Sequence, residues 1–360
     1  MDTKIINVIF GYGRKLWLTP HSDSLNLKPT RLEKFYSFLI FTLLASCVNF
    51  YFFGIRLVNT TPFSAEYILV ALLLVTYVMH DFYVFIIVKF CKCGKWFEMV
   101  QCLERVRCHK NRFPSYHLQF VMSQLVGVSF TVVGICIYLF FFSLNHAVGI
   151  LVVCIEINLQ LFYVVLRCII LEMLKCRYQH QKSLILKAGS QAHFHNLFKI
   201  VTKIKHNLFL IKTAIDRFND IFGWSTLLNI FSASVRTLTH IDSMITKEST
   251  FHLSTNPGNI CSALYQITFL LLIWSGVIAN VLLCDSVLQK HAQLLALVSE
   301  LETNHHDVPS LNQQLNSLLE TIEHLRPKFE AARYFFVDKT ILFTVSYSIV
   351  TFLLVIIQFK

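Results

Sequence analysis

The chain has 360 residues, of which 55% are hydrophobic and 15% charged, against roughly a quarter charged in soluble domains. Thirty-three phenylalanines and a mean hydropathy of +0.56 exclude an ordinary soluble protein. The net charge of +11 raises nucleic acid as a partner, but the basic residues lie mainly on flanks between apolar runs, where they orient a chain in a lipid bilayer; no nucleic acid is expected.

Residues 1–34 form a polar, basic segment. No secretory signal is evident, because the first apolar run begins only at Phe35 and is too long for a signal core. Seven charge-poor runs come after it: Phe35–Ile55, Tyr67–Val88, Phe120–Phe142, Ala147–Leu171, Ile221–Leu238, Ile260–Cys284 and Thr340–Phe359. Most reach the length of a membrane-spanning helix. The fifth is the weakest, with Trp224, Asn229 and Arg236 inside it.

The distribution of lysine and arginine decides between six spans and seven. With seven spans and a cytosolic N-terminus, the inside segments 1–34, 89–119, 172–220 and 285–339 hold six, seven, nine and four basic residues, setting aside Lys339 at the membrane edge. The outside segments hold Arg56, Lys247 and Lys360, with Arg236 at a boundary. Dropping the fifth span inverts the last two and weakens this asymmetry. The expectation is therefore an all-α, seven-transmembrane protein with its N-terminus cytosolic and its C-terminus extracellular. Residues 35–171 carry helices one to four, 221–284 helices five and six, and 340–360 the seventh. Asn59, in Asn59-Thr60-Thr61, is the one glycosylation acceptor and falls in the first predicted outside loop.

The segments 172–220 and 285–339 have a pattern of their own. Leu197, Val201, Ile204, Leu208, Ile211 and Ile215 alternate at spacings of four and three, as do Leu311, Leu315, Leu318, Ile322, Leu325 and Phe329. Narrow apolar seams among charges are how helices pack together in water. They predict a cytosolic helical bundle continuous with the later spans, the alternative being lone amphipathic helices on the membrane surface. His305-His306-Asp307-Val308-Pro309 separates the second seam from a helical stretch over Val287–Leu301.

Candidate chemistry is sparse. Cys91, Cys93, Cys102, Cys108 and His109 crowd one inside loop, but their spacing is not that of a structural zinc site, and reduced thiols are expected. His305, His306 and Asp307 are adjacent on a turn, which does not converge on one ion. No metal and no cofactor are expected. Within the membrane stand His80-Asp81, and Glu156 with Gln160 one turn further on. Such groups face a cavity or a partner, as ligand contacts or interhelical hydrogen bonds. No phosphate loop, nucleophile elbow or zinc-protease helix occurs, so an enzyme is not expected. The outward halves of spans four to six offer Glu156, Asn229, Tyr265, Gln266 and Trp274 as a ligand site, and aromatic walls with few polar groups suit a small, largely apolar ligand.

The last run has its polar groups in register. At 100° per residue, Thr340, Thr344, Tyr347, Thr351 and Gln358 fall within about 60° of arc, with Ser348 at the edge. A helix surrounded by lipid gains nothing from such a stripe, whereas a helix facing water or a partner does; tight packing through small hydroxyls is its plainer reading.

Thr351-Phe352-Leu353-Leu354-Val355-Ile356-Ile357-Gln358-Phe359 resembles the seventh-helix signature of insect gustatory receptors, in which Thr-Tyr, five hydrophobic residues and Gln-Phe close the chain. Phe335-Phe336-Val337-Asp338, Thr340-Ile341-Leu342-Phe343 and, more loosely, Phe218-Asn219-Asp220-Ile221-Phe222-Gly223 resemble other parts of that family's pattern. The resemblance implies a tastant-gated, non-selective cation channel assembled as a homo- or hetero-tetramer in the plasma membrane of gustatory receptor neurons. It implies a pore lined by the seventh helix, with Gln358 and Phe359 at the gate and Thr344, Tyr347, Thr351 and Val355 along the wall. The cytosolic seams become the anchor where subunits meet. Phe352 departs from the signature tyrosine, and Leu353 stands where sugar-sensing members carry glutamate, which looks more like the bitter-type or orphan branch. The alternatives are a seven-helix receptor coupled to G proteins, which needs the opposite orientation, and a secondary transporter, against which the odd span count speaks.

Overall fold

In the computed structural model of the chain, the residues described are 4–15, 19, 31–51, 65–106, 113–142, 144–189, 194–248, 257–304 and 309–358. The glycosylation acceptor Asn59, Cys108, His109, the His305–Asp307 turn and the terminal Phe359 and Lys360 lie outside them. The order is α1 (Lys4–Lys15), α2 (Arg31–Tyr51), α3 (Ala65–Phe82) continued by a π-helical run (Tyr83–Cys91), α4 (Cys93–Arg105), α5 (Phe113–Phe141), α6 (Leu144–Gly189), α7 (Phe194–Glu248), α8 (Pro257–Asn304) and α9 (Pro309–His324). A short hairpin, β1 (Glu330–Ala331) and β2 (Phe335–Phe336), leads into α10 (Thr340–Gln358).

The protein is a multi-pass helical membrane protein whose seven predicted spans fall on α2, α3, α5, α6, α7, α8 and α10. Among the described residues, α2, α3 with its π extension, α5, α6 and α8 are each long and apolar enough to cross a bilayer, and α10 carries a shorter apolar stretch over Thr340–Val355. The fifth predicted span lies in α7 and is polar for a physical reason. That helix packs against α3, α4, α6, α8, α9, α10 and β1, so Ser225, Asn229, Ser232, Arg236, Thr239 and Asp242 are buried in protein rather than exposed to lipid. The opposite holds for α2 and α5, whose Phe35, Phe38, Phe50, Met122, Leu125 and Phe140 are exposed as a lipid-facing coat requires.

Three helices are longer than a membrane is thick. With 46, 55 and 48 residues, α6, α7 and α8 extend about 70–80 Å at ~1.5 Å per residue, against a hydrocarbon core of ~30 Å. Their overhangs pack together. Val201, Ile204, Leu208, Ile211 and Ile215 of α7 and Leu315, Leu318 and Ile322 of α9 are buried in one core with Leu174 and Tyr178 of α6 and Val287, Leu294 and Val298 of α8. Both seams thus face each other rather than a membrane surface. Each buried aliphatic side chain contributes roughly 1.5–3 kcal/mol, enough together to hold the overhangs as a folded body. His291 sits inside it, its ring Nε2 3.0 Å from the Ile322 carbonyl, and its burial lowers its pKa from the ordinary value.

The second seam predicts helix as far as Phe329, but α9 ends at His324. Pro327 supplies the reason: it lacks an N–H and disfavours helical geometry at Arg326 before it. Phe329 nevertheless stays buried, against Phe218 of α7 (ring centroids 5.8 Å apart). Beyond Phe329 the chain folds into the hairpin, with Glu330 opposite Phe336 and Ala331 opposite Phe335. Its turn places Ala332 and Arg333 at φ 51° and 66°, a left-handed conformation costing about 1–2 kcal/mol per non-glycine residue. Contacts with α7 offset that cost. Asn219 uses both ends of its amide, Nδ2 donating to the Lys328 carbonyl (2.6 Å) and Oδ1 accepting from the Glu330 N–H (3.2 Å). The Val337 N–H closes the hairpin onto the Phe329 carbonyl at 2.8 Å.

Gly223 is where the hairpin and α7 meet backbone to backbone. A Cβ there would lie 2.9 Å from the Ala332 nitrogen and 3.1 Å from the Glu330 carbonyl oxygen, neither of which can swing aside. Gly223→Ala is expected to destabilise the protein by about 1–3 kcal/mol. Thermal unfolding of the purified protein in detergent measures it, and an unchanged Tm would contradict this packing.

Candidate functional site

The hairpin sits at the entry to α10. Asp338 accepts the Thr340 N–H at 2.9 Å, placing a carboxylate at the helix N-terminus where the orphan N–H groups and the helix dipole favour it. From there α10 packs by one face only. Ile341, Leu342, Val345 and Ile349 meet the core clusters of the bundle, and α7 is the neighbour they pack toward. The rest of the helix is uncovered, with Phe343 77% and Tyr347 73% exposed.

The predicted pore residues Thr344, Tyr347, Thr351, Val355 and Gln358 are all on that uncovered side, as are Thr340 and Ser348. The hydroxyls of Thr344, Ser348 and Thr351 are satisfied within the helix. Thr344 donates to the Thr340 carbonyl (3.2 Å), Ser348 to Thr344 (2.9 Å) and Thr351 to Tyr347 (3.0 Å). A hydroxyl whose hydrogen is committed to the backbone presents outward only its oxygen lone pairs. Those three positions are thus a row of acceptors along the stripe.

Next to the hairpin, Asp220 of α7 gathers charges from several elements. Its carboxylate takes a hydrogen bond from Lys95 of α4 (2.7 Å), lies 3.4 Å from the Arg217 guanidinium, and has Arg333 of the hairpin turn at 3.7 Å. Lys92 donates to its backbone carbonyl and to the Tyr83 hydroxyl (2.6 Å), which itself donates to the Ile221 carbonyl (2.8 Å). Arg217 also grips Glu98 with two hydrogen bonds, 2.7 and 3.1 Å. One turn of α7 therefore joins the C-terminal extension of α3, helix α4 and the approach to α10.

The intramembrane candidates fall in separate places. Tyr265 of α8 stacks against Phe130 of α5 (centroids 4.4 Å, planes 12° apart) and more loosely on Phe269, with its hydroxyl 3.2 Å from the Cys154 sulfur. Gln266 donates to the Tyr138 hydroxyl at 3.4 Å, and that hydroxyl lies 2.9 Å from Ser262. Trp274 donates its indole N–H to Thr237 of α7 at 2.9 Å. Glu156 is elsewhere in the bundle, buried and facing Asp81 of α3. Asn229 is buried on α7 with neither amide atom hydrogen-bonded. The five candidates thus form an aromatic cluster, an indole–hydroxyl pair and two buried polar groups.

Two features escaped the sequence pattern. Arg236, which weakened the fifth span, lays its guanidinium over the rings of Phe269 (4.5 Å) and Tyr77 (4.9 Å), so an aromatic pair accommodates the cation in the bundle. Asp81 and Glu156 are seventy-five positions apart, and nothing local in either helix announces their pairing. Of the loop cysteines, Cys91 is exposed and Cys102 buried, and among the described residues no group of histidine, cysteine and carboxylate side chains could hold a metal ion.

Comparison with known proteins adds identity to this geometry. Residues 6–360 match the sequence profile of the family described as 7tm chemosensory receptor. The chain belongs to that family. The fold is similar to that of the insect olfactory receptor OR5 from Machilis hrabei solved in complex with eugenol, with a TM-score of 0.69 at 11% identity over 99% of this chain and 98% of that one. A second structure of the same Machilis hrabei receptor gives a TM-score of 0.61 at 13% identity over the same shares. A search of curated protein sequences finds no significant match.

Burial opposes ionisation of Asp220, but its hydrogen bonds and charge contacts with Lys95 and Arg217 outweigh that and hold its carboxyl below the usual carboxylate range. A depressed carboxyl contributes stability above its unfolded pKa of about 4 and loses it as pH falls through the folded value. Asp220→Asn is therefore expected to lower Tm at neutral pH, with the difference from wild type shrinking below about pH 4. Parallel melting curves across pH check the sign; a difference that grows in acid would contradict it.

Proposed function

We propose that this chemosensory receptor is a gustatory receptor: a subunit of a tastant-gated, non-selective cation channel in the plasma membrane of gustatory receptor neurons, answering bitter or other non-sugar compounds. The observation that carries this reading is the uncovered stripe of α10. Its Thr344, Ser348 and Thr351 hydroxyls donate into their own helix and present acceptor oxygens outward, which suit cations. One such helix cannot enclose a water path. Four copies around an axis can, and the packed overhangs of α6 to α9 supply a rigid body by which copies could associate. With neutral threonine, serine and glutamine and no acidic ring in α10, discrimination among cations would be weak. Gln358, with Phe359 after it, would form the outer constriction in an assembly whose C-termini face outward.

The tastant site fits best in the aromatic cluster of Tyr265, Phe130, Phe269 and Tyr138, with Gln266 and Ser262 as the polar handles. Stacked rings and two or three hydrogen-bonding groups suit a small, largely apolar molecule. A shift there would act on α8 and α7, and the contacts of Asn219, Asp220 and Gly223 with the hairpin would carry it to the start of α10.

Functional expression tests the reading. Cells expressing this chain, alone or with other receptor subunits, are expected to give inward cation current to members of a bitter panel. Gln358→Glu should alter selectivity or divalent block. Currents indifferent to every substitution along the stripe would sink the pore assignment. Tyr265→Ala should raise the half-maximal tastant concentration about tenfold, the loss of one stacked aromatic contact. A G-protein-coupled receptor requires the N-terminus outside; epitope tags at each terminus on unpermeabilised cells separate the two, and surface staining of the N-terminal tag would reject the channel orientation.

A further inference from the structure

The hairpin before α10 carries an uncovered aromatic strip. Tyr334 meets Trp224 of α7 edge to face, with ring centroids 6.0 Å apart and planes at 82°. The two are 71% and 37% exposed, and Phe336 of the same hairpin is 56% exposed. The chain fixes the height of this strip. The predicted fifth and seventh spans begin at Ile221 and Thr340, so these rings lie where α7 and α10 meet the membrane surface on the side of the overhangs. Tryptophan and tyrosine collect at that level, because the ring suits the edge of the hydrocarbon and the polar end suits the headgroups.

Cations stand beside the rings. Arg333, with its side chain 85% exposed, lies 3.7 Å from the Asp220 carboxylate. Lys95 and Arg217 approach that same carboxylate at 2.7 and 3.4 Å, and Glu98 is held by Arg217. Two carboxylates thus face three cations that converge on one point. Lys328 adds another: its ammonium lies over the Phe336 ring at 5.9 Å, and among the described residues it has no ion pair. Within residues 326–339 the basic side chains Arg326, Lys328, Arg333 and Lys339 are exposed, whereas Glu330 and Asp338 are half-buried. The backbone of the turn agrees. Arg333 is held at φ 66°, a conformation glycine would adopt at lower cost, and such strain is typical of segments that present a side chain to a ligand.

We propose that Arg333, Lys328 and Lys95, with the rings of Trp224, Tyr334 and Phe336, form a docking site for the headgroup of an acidic phospholipid. The guanidinium offers two parallel donors to a phosphate, and the ammonium groups supply point charges around it. The rings lie along the first carbons of the acyl chains. A soluble anion would make no use of them, which is why a lipid is the occupant. Basic residues that only orient a chain in the bilayer act by their number on one side; here a strained turn and one carboxylate fix where the charges stand. The site concerns the lipid surface alone and holds whether or not α10 lines a pore.

The test reads the Tm of the full-length chain in nanodiscs of phosphatidylcholine, alone or mixed with phosphatidylserine. The acidic lipid is expected to raise Tm by about 2–5 °C, and added salt should diminish the rise by screening. Arg333→Gln should cut it by about half, and Lys328→Gln with Arg333→Gln should abolish it. Both side chains are exposed, so the fold does not depend on them; should the double variant fail to fold, Arg333→Gln serves alone. Lys203→Gln, which removes the same charge from an exposed site on the α7 overhang, should keep the full rise. Three results would overturn the proposal. An absent rise, or one that Lys203→Gln and Arg333→Gln reduce equally, means that only overall charge matters. An equal rise from inorganic phosphate in phosphatidylcholine discs means a soluble anion. A change in oligomeric size on Arg333→Gln, with the lipid response intact, means a contact between copies of the chain.

Discussion

The structure depends on the requirement that helices too long for the bilayer must find a second place to bury themselves. α6, α7 and α8 cannot end at the membrane, because their apolar pattern continues into water as narrow seams. Those seams and α9 close on one another, and the same three helices then enter the membrane already fixed in angle and rotation. The body formed by the overhangs thereby sets the geometry of the intramembrane bundle. The thin lipid-facing helices α2 and α5 are laid against it, with their exposed phenylalanines, leucines and methionines turned to the tails.

This central trio also explains where polarity is tolerated. α7 is enclosed along much of its length, and an enclosed helix does not have to be apolar. Its buried serines, asparagine, aspartate and arginine are the interior of a protein that happens to sit in a membrane. α10 is the reverse: it is mostly uncovered and still carries a polar stripe. A helix exposed to lipid on that side would gain nothing from it, and the proposed pore would use that side.

Much of this architecture is legible in residue patterns. The span count rests on charge asymmetry, and both seams are visible as alternations of four and three. The fifth span looks weak in sequence because the criterion assumes lipid as the surroundings, whereas burial against neighbouring helices replaces lipid. The π-helical run of Tyr83–Cys91 has no composition that separates it from an ordinary apolar helix. The hairpin is concealed because Phe329 keeps the seam's register while Pro327 ends the helix beneath it. Among the candidate ligand residues, Tyr265 and Gln266 come out as neighbours because they are adjacent in sequence, and they face different partners. Glu156 and Asp81 cannot be paired in advance, since their meeting depends on how α3 lies against α6, which is a property of the whole packing.

Gly223 has a mechanical corollary. Most joints between secondary-structure elements are cushioned by side chains, which can change rotamer and absorb a small displacement before it reaches the partner. At Gly223 the helix and the hairpin approach through main-chain atoms, and the Asn219 amide pins the hairpin beside it. At that point the joint has no compliant layer. A small translation of α7 would reach the hairpin at this point with little to absorb it, and the closeness of that approach depends on the one side chain that is missing.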